Sequence, residues 1–508
     1  MNRRVVATVI LVVWASVVGV HVRREYFKPL AARLEAGARD FAPGTHFYIV
    51  RMNGQAIGFA QTRLDTVAAG FRFSDRITLD IPAAGAVHSA TAVTTIDLGR
   101  SLAIERFGFG LASEIGSFRV DGTVDEDGNV ELDLNAGGTS QRTTLANDSL
   151  LLLDAAVPMR IAAAGGLEVG RTYSVRVLDP SSLAVREDRV RVAAHDTLIV
   201  PDSARWENGE WFVASMDTIP AWRLEQRFGG VVIGNWVDED GQLVRAESAL
   251  GYTLERTAFE LADQEFKRAR SAGSIAHGYG PVIERTAIAS NVDLSAPSYA
   301  NGMRVRLLNV DLGGFDLSGG RQELRGDTLV IRRERGLVIR AGYELPYTGS
   351  MVPPETLRPA PLIQSDHPRI LEQARRIAGN RTNPAEVAHR LNDWVYREVR
   401  KDITLSVPSA LQVLDAMQGD CNEHTVLYVA LARALGLPAR TAVGLVHVRG
   451  SFYYHAWPEV WLGNAWVAVD PTLGQFPADA AHLRFLVGGL ARQVELIRLI
   501  GRLGLEVL

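Results

Sequence analysis

The chain has 508 residues, a formal net charge of −4 at pH 7 and one cysteine. This length predicts roughly two to four domains, and a hydrophobic content of 47% excludes a disordered polymer because it can supply buried cores. The slightly negative charge, without a basic cluster interleaved with aromatic residues, argues against nucleic acid as a partner. One cysteine permits no internal disulfide, which suits a reducing compartment or an exported protein that avoids stray thiols.

The N-terminus carries an uncharged run at residues 5–20, rich in Val, Ile, Leu and Ala, after Arg3 and Arg4. As a helix this run is slightly shorter than the roughly 30 Å hydrocarbon core of a bilayer. A cleaved signal peptide and an uncleaved anchor both remain open, and the lack of a small-x-small cleavage site favours the anchor. We therefore expect residues 1–24 to cross a bacterial cytoplasmic membrane once, with the body of the protein on the outer, periplasmic side. Residues 25–45 are expected to form a linking helix.

Residues 46–270 predict a β-rich domain of unknown role. Short alternating segments separated by Gly, Asp and Asn turns are typical of antiparallel sheets. The pattern resumes at residues 222–252, and helical windows occur at 149–163 and 254–269. The clearest strands are predicted at residues 47–51, 58–64, 71–79, 90–98, 104–111, 117–124 and 130–134.

The sequence Val-Asp-Glu-Asp-Gly occurs twice in this region, at residues 124–128 and 237–241. An acidic loop could bind calcium, but the twelve-residue EF-hand pattern is absent. Asp-Gly between alternating apolar residues is the usual signal of a hairpin turn. We therefore interpret both segments as turns.

The chain after residue 270 predicts a linker, a smaller β-rich region at residues 281–352 and a last domain at 362–488. The clearest strands of the smaller region are expected at 305–308 and 328–332. Prolines at 353–354, 359 and 361 mark the boundary before the last domain. Residues 489–508 predict a C-terminal helix whose apolar face packs on the body of the protein.

The single cysteine lies at the predicted start of a helix. Asp420 is a good N-cap, and Glu423 completes a capping box, which places Cys421 at the first helical position. The unpaired N–H groups and the positive end of the helix dipole favour a thiolate there, although Glu423 opposes it. For a lone cysteine, a buried apolar role is the alternative interpretation.

Two alternating segments follow, and Gly463-Asn464 between them suits a two-residue hairpin loop. This register makes Asp470 the diagonal neighbour of His455 on one sheet face, within side-chain reach. A loop one residue longer would turn Asp470 to the opposite face. Together the two residues predict an imidazole base with an orienting carboxylate; separately they could be a histidine among aromatics and a turn residue.

Other residues near this motif leave alternatives open. Cys421, His424, His455 and Asp470 could hold zinc, but a second cysteine is lacking and His424 lies inside the helix, so we predict no metal and no cofactor. The aromatic residues on the face of His455 could wall a cleft or pack in a core. They are Tyr453, Trp457 and Trp461. Candidates for a second oxyanion donor, none of them favoured, are Trp394, Gln412 and Gln418.

Residues 368–486 resemble the transglutaminase-like superfamily, papain-related thiol enzymes found widely in bacteria. The resemblance rests on Gly-Asp-Cys-Asn-Glu-His at 419–424, the helix end at 432–440, Tyr-His-Ala-Trp-Pro-Glu-Val at 454–460 and Trp-Val-Ala-Val-Asp-Pro-Thr at 466–472. It implies Cys421 as nucleophile, His455 as general base and acid, and Asp470 as the group that orients the imidazole. It also implies an acyl-enzyme thioester that water or an amine resolves.

We therefore predict an α+β protein with a C-terminal transglutaminase-like domain, preceded by antiparallel β-rich domains and an N-terminal transmembrane helix. The predicted function is thiol-dependent acyl transfer on peptide or amide bonds of a protein or peptide substrate, foremost as a cysteine protease or amidase. The alternatives are a protein-glutamine transglutaminase and a catalytically silent envelope protein that binds or assembles others.

Overall fold

The computed structural model describes residues 30–508 with several gaps. The gaps are residues 84–85, 114–115, 126, 137–138, 147–150, 182, 229–230, 249–250, 272–286, 293, 295–301, 335–341, 403–406, 490–491, 493 and 500–501. The apolar run at residues 5–20 and most of the predicted linker at 271–280 therefore lie outside the described residues.

The predicted membrane placement requires a correction. A membrane-spanning helix needs about 20 apolar residues, and across the described ranges no helix is long and apolar enough to cross a bilayer. The first described helix, Leu30–Gly37, has 8 residues and continues into a 3₁₀ turn at Ala38–Asp40. This finding contradicts the prediction of a single-pass anchor with the body of the protein on the outer side of a membrane.

Among the described residues, fourteen strands form one antiparallel sheet. Strands β1 to β8 follow one another outward from the middle in one direction, and β14 back to β9 do so in the other, with β1 paired to β14. The strands are β1 Gly44–Met52, β2 Gln55–Val67, β3 Gly70–Ala83, β4 Ala86–Gly99, β5 Ile104–Ser113, β6 Gly116–Val124, β7 Val130–Ala136, β8 Thr139–Leu145, β9 Thr172–Asp179, β10 Ala184–Glu207, β11 Glu210–Phe228, β12 Val231–Val237, β13 Leu243–Ser248 and β14 Tyr252–Thr257. Each strand predicted before residue 135 is confirmed.

The long hairpin of β10 and β11 was not predicted from the sequence. Its outer end is exposed on both faces, so apolar side chains stand in solvent and the sequence there lacks the alternation of a half-buried strand. Examples are Ile199, Trp206 and Phe212. The pairing of the two strands continues to Glu207 and Glu210, at the very end of the hairpin.

The two acidic segments are turns, as predicted. Asp125 Oδ1 accepts the N–H of Asn129 at 2.8 Å, and Asp238 Oδ1 accepts the N–H of Gln242 at 2.8 Å. The glycine of each segment lies in the left-handed region, with φ of 87° at Gly128 and 76° at Gly241. The first carboxylate of each segment therefore closes its own loop.

Helices flank the large sheet, α1 being Leu30–Gly37. The window at 149–163 contains a 3₁₀ turn at Asp154–Ala156 and helix α2, Val157–Ala163. The window at 254–269 was placed too early, because residues 252–257 form β14 and helix α3 begins afterwards, at Phe259–Ser271. Pairing with β1 and β13 there overrides the local helical spacing.

The C-terminal part of the chain contains four helices among its described residues. They are α4 Pro368–Ala378, α5 Pro384–Glu398, α6 Ala410–Ala416 and α7 Cys421–Ala434. Helix α7 packs against the other three and against a sheet, so it is buried almost throughout its length. This central position explains why the sequence of α7 is apolar on more than one face.

Three small sheets complete this part of the described chain. Their orders are β15-β22-β21-β24 with β23 beside β22, then β17-β18-β16-β25, and the parallel pair β19-β20. The strands are β15 Ile288–Ala289, β16 Gly302–Leu308, β17 Gln322–Arg325, β18 Thr328–Arg332, β19 Arg400–Lys401, β20 Gln418–Gly419, β21 Ala439–Val448, β22 Ser451–Leu462, β23 Ala465–Ala468, β24 His482–Val487 and β25 Gly504–Val507. The strands predicted at 305–308 and 328–332 correspond to β16 and β18.

The predicted C-terminal helix at 489–508 is wrong. Its described residues form a 3₁₀ helix at Val494–Leu499 and then strand β25, which pairs with β16. The apolar residues there do pack on the body, because Leu499, Leu503 and Leu505 enter a core with β16, β18 and β24. An available strand edge, invisible to local periodicity, decides the structure of this segment.

The smaller β-rich region and the last predicted domain share a hydrophobic core. Val305 and Leu329 of the smaller region lie in one cluster with Leu445, Phe452 and Leu483 of the β21-β22-β24 sheet. Strand β15 also pairs directly with β22. The boundaries drawn from the sequence stay a prediction, but these two regions pack as neighbours around one core.

Candidate active site

Cys421 is the first residue of α7, as predicted. Asp420 Oδ1 accepts the N–H of Asn422 at 2.8 Å, and Glu423 Oε2 accepts the N–H of Asp420 at 3.0 Å. Both halves of the capping box are formed, because the Asp420 side chain also accepts the N–H of Glu423. They fix the helix start and hold the partly buried thiol beside strand β22.

The electrostatic setting of Cys421 differs from the predicted thiolate. Burial raises the pKa of the Cys421 thiol well above its ordinary value, and the charge of Asp420 raises it further. The backbone N–H of Ala456 faces the sulfur and lowers the pKa, while Glu423 and Asp470 raise it. Burial and these carboxylates therefore oppose the thiolate that the start of the helix favours.

The hairpin that carries His455 and Asp470 has the predicted register. Leu462 pairs with Ala465 and Val460 with Val467, and the N–H of Val469 reaches the carbonyl of Pro458 at 3.0 Å. Nε2 of His455 lies 2.8 Å from Oδ2 of Asp470. The predicted contact between these side chains is therefore present, and their catalytic roles stay a prediction.

Asp470 is completely buried and accepts four hydrogen bonds. Its Oδ1 accepts the N–H groups of Thr472 at 2.8 Å and Leu473 at 2.9 Å. Its Oδ2 meets Nε2 of His455 and Nε2 of His482, at 2.8 and 2.9 Å. Burial alone raises the pKa of Asp470, but His455 and His482 hold it well below the usual range. The carboxylate is ionised and has little freedom to rotate.

No sequence pattern indicates His482 or its second partner, Asp479. Nδ1 of His482 lies 2.9 Å from Oδ1 of Asp479, so the imidazole bridges two carboxylates. His482 begins β24, which joins the sheet beside β21, and only this pairing brings it to Asp470. The available signal was a histidine three residues after an aspartate at the start of an apolar strand, and it is too common to single out.

The residues weighed as zinc ligands are not brought together as a set. Both ring nitrogens of His424 face backbone carbonyls, with Nδ1 2.7 Å from the oxygen of Asp420 and Nε2 3.2 Å from that of Val399. His424 is buried inside the protein and stabilises the start of α7. Its ring is therefore not directed at the other three candidate ligands.

A different group could hold a metal by proximity, since ligand atoms of His455, Asp470 and His482 lie within 4.8 Å of one another. A tetrahedral zinc ion with ligands at about 2.1 Å would separate those atoms by roughly 3.3 Å. The observed distances between histidine nitrogen and carboxylate oxygen, 2.8 and 2.9 Å, are those of direct hydrogen bonds. The geometry therefore fits a hydrogen-bonded network and not a metal centre.

The aromatic residues near His455 are divided between two environments. Trp457 is buried, and its ring lies nearly parallel to that of His455, with the ring centres 6.1 Å apart. Trp461 packs in a separate cluster with Tyr347 and Val352. Both tryptophans thus serve as core, and Tyr453 is the partly exposed one of the three. Its role as a wall of a cleft stays a prediction.

The backbone N–H of Cys421 stays a candidate for the first oxyanion donor. Cys421 is the first residue of α7, so its N–H has no acceptor within the helix. Gln412 donates to the carbonyl of Ser117 in the large sheet at 2.7 Å, and Gln418 is engaged by Arg400. These contacts direct both glutamine side chains elsewhere, and Trp394 packs against the helical core.

The segment that contains Cys421, His455 and Asp470 is similar to a known family. Residues 372–471 match the family model of the transglutaminase-like superfamily, and no curated protein matches the chain. A candidate cysteine protease from Cytophaga hutchinsonii is 16% identical, with a TM-score of 0.29 over 40% of this chain and 83% of that one. The periplasmic domain of TgpA from Pseudomonas aeruginosa, bound to ethylmercury, is 18% identical, with a TM-score of 0.24 over 35% of this chain and 74% of that one.

The chain therefore combines a transglutaminase-like superfamily domain with a large antiparallel β-rich region. Members of this superfamily are usually cysteine hydrolases or acyltransferases.

Proposed function

We propose that this protein is a thiol-dependent acyl-transfer enzyme that cleaves peptide or amide bonds of a protein or peptide substrate. Cys421 is the nucleophile, His455 the general base and acid, and Asp470 the group that orients His455. The observation that carries the proposal is the 2.8 Å hydrogen bond between His455 and Asp470. It lies next to Ala456, whose N–H faces the sulfur of Cys421.

The first chemical step is the activation of a neutral thiol. Because burial and nearby carboxylates raise the pKa of Cys421, the proton leaves the sulfur as the sulfur attacks the substrate carbonyl. Nε2 of His455 is held by Asp470, so Nδ1 is the ring nitrogen that receives this proton. A carboxylate only accepts hydrogen bonds, so Asp470 keeps the proton on Nε2 and the lone pair on Nδ1.

The remaining steps follow from the same positions. The N–H of Cys421 at the helix start donates to the developing oxyanion. The protonated Nδ1 of His455 then gives its proton to the leaving nitrogen, and a thioester remains on Cys421. Water attacks the thioester with His455 again acting as base, which releases the acid and restores the thiol.

The proposal is tested by the reactivity of the one thiol in the chain. Because Cys421 is the only cysteine, iodoacetamide labelling reports on this site without a background. We expect His455→Asn to slow labelling at pH 7 at least tenfold, because the base that removes the thiol proton is lost. His389→Asn, which changes an exposed histidine of α5, should label at the wild-type rate.

A second arm follows turnover. Peptide mixtures should be cleaved by the wild type and left intact by Cys421→Ala, with equal circular dichroism spectra for both proteins. A primary amine added to the same mixture separates water from amine as the acceptor, because amine transfer gives a conjugated product. Equal labelling of wild type and His455→Asn, without any turnover, would leave a catalytically silent binding protein and overturn the proposal.

A further inference from the structure

A second histidine and a second aspartate extend the hydrogen-bonded pair of the site. We propose that His482 is a positioning residue, held as an imidazolium between Asp470 and Asp479. In this role it fixes Asp470 against His455 and sets how firmly His455 holds a proton. The inference rests on the proposed function, because it concerns the base of that reaction.

The protonation of His482 follows from counting donors. Its two ring nitrogens lie 2.9 Å from Oδ2 of Asp470 and 2.9 Å from Oδ1 of Asp479. Ionised carboxylates only accept, and a neutral imidazole has one N–H, so two such bonds require both nitrogens to carry a proton. His482 is completely buried, so bulk water cannot replace either partner.

The alternative, a proton on one of the carboxylates, does not fit their surroundings. Burial raises the pKa of Asp479, but the hydrogen bond from His482 and further donors lower it to about 2. Asp479 Oδ1 also accepts the N–H of Ala481, and its Oδ2 accepts the amide of Gln475 at 2.9 Å. Asp470 is bonded by four donors. Each carboxylate therefore has donors besides His482, which favour its ionised form and leave the proton to the imidazole.

The charge of His482 has a consequence at His455. Oδ2 of Asp470 is shared by two imidazoles whose ring centres lie 5.9 Å apart. A positive charge on His482, hydrogen-bonded to Asp470, partly neutralises that carboxylate. Asp470 then attracts a proton on His455 less strongly. The charged partners of His482 are Asp470 and Asp479, and His455 lies across Asp470. Around these carboxylates, Arg321 interacts with Asp479, and Asp470 interacts with Lys401, Cys421 and His424.

Asp479 contributes through His482. It lies on the far side of the imidazole from Asp470, in the segment that leads into β24. Arg321 donates to the backbone carbonyl of Asp479, and Gln475 accepts its N–H, so the segment is held from two directions. Removing the carboxylate of Asp479 therefore lowers the proton affinity of His482. Its effect on His455 is indirect and passes through His482.

The test measures the alkylation rate of Cys421 against pH. We expect the rate to fall on the acid side in the wild type, and we expect His455→Asn to remove this acid limb, because the proposed base is lost. His482→Gln leaves the charge of Asp470 undivided, so we expect the midpoint of the acid limb to rise by about one pH unit. A merely structural role for His482 would lower stability or the fraction of labelled protein and leave this midpoint in place.

Two further variants separate the electrostatic effect from damage to the core. Asp479→Asn should raise the midpoint in the wild-type background and should not raise it in a His482→Gln background, because Asp479 acts through His482. His447→Gln removes another buried imidazole from the same sheet, packed against Phe452, and should leave the midpoint unchanged. Additive shifts from His482→Gln and Asp479→Asn would contradict the coupling.

A measurement on the wild type applies even if the variants fold poorly. Nitrogen-15 spectra of histidine side chains should show one imidazole with both nitrogens protonated at pH 8. This signal should be absent from His482→Gln. If that variant does not fold, the signal can be assigned in the wild type by the contact of His482 with Trp457. A neutral His482 at that pH overturns the inference whether or not the protein is an enzyme. Conversely, a wild type without a His455-dependent acid limb refutes the proposed function, and the spectra still decide the state of His482.

Discussion

Asp470 is the residue on which the site converges. Two imidazoles and two backbone N–H groups donate to it inside a completely buried environment. Each donor favours the ionised form, and together they overcome the effect of burial on its pKa. The same bonds restrict its rotation, so His455 is presented in one orientation. The orienting role and the depressed pKa thus have one physical origin.

The charges around His482 predict a pH dependence of stability. The pKa of Asp479 is about 2 in the folded state and 3.8 ordinarily, so Asp479 stabilises the fold above pH 4 and loses this contribution as pH falls to 2. The pKa of His482 is raised, despite burial that lowers it, by Asp470 and Asp479. His482 therefore contributes fully below its unfolded pKa, about 6.5, and loses the contribution as pH rises through the folded pKa.

Asp479→Asn tests the acidic side of this dependence. We expect the difference in unfolding free energy between wild type and variant to shrink by about 2 kcal/mol between pH 4 and pH 2, because the variant has no carboxylate to protonate. Urea unfolding at several pH values measures it. Asp415→Asn, which removes an exposed carboxylate of α6, is the control. A difference that stays constant across this range would contradict the assigned pKa.

At the scale of elements, one buried carboxylate ties three strands together. Glu459 of β22 meets Arg440 of β21 and Arg484 of β24, the latter at 3.0 Å. Arg440 also lies over the ring of Trp466, with its guanidinium carbon 4.1 Å from the ring centre. Because β22 and β24 carry His455 and His482, this ion network helps to fix the distance between the two imidazoles.

Glu459→Gln should therefore destabilise the protein by about 3–5 kcal/mol, because it leaves two arginines in the sheet without their counter-charge. Chemical unfolding measures the loss. Glu372→Gln is the matched control, since it removes the same charge from an exposed pair with Arg376 on α4 and should cost at most about 0.5 kcal/mol. Equal effects of the two substitutions would show that the buried network contributes no more than a surface pair.

At the scale of the whole molecule, local signals account for what could be predicted. The capping box at Asp420 and the loop at Gly463 act within a few residues, so the helix start and the hairpin register could be predicted from sequence. His482 could not, because only the pairing of β24 with β21 brings it to the site. Strand β25 was missed for the same reason, since its partner β16 lies about 200 residues earlier in the chain.

The pKa of Cys421 shows a further limit of local reasoning. The helix start favours a thiolate, but burial, which no local pattern reveals, raises the pKa of the Cys421 thiol, and nearby carboxylates raise it further. The strands of the large sheet before residue 135 follow from alternation and turn residues. The contact of this sheet with the transglutaminase-like domain through Gln412 and Ser117 depends instead on tertiary packing.

The most direct test of the central claim is mass spectrometry of the acyl-enzyme. The wild type is mixed with an activated acyl ester, quenched in acid and digested, and the peptide that contains Cys421 is weighed. We predict one acyl group on Cys421 in the wild type, loss of this adduct when water or an amine is given time to react, and at least a hundredfold slower acylation in His455→Asn. Acylation at the same rate in wild type and His455→Asn, or an adduct that never resolves, would contradict the account.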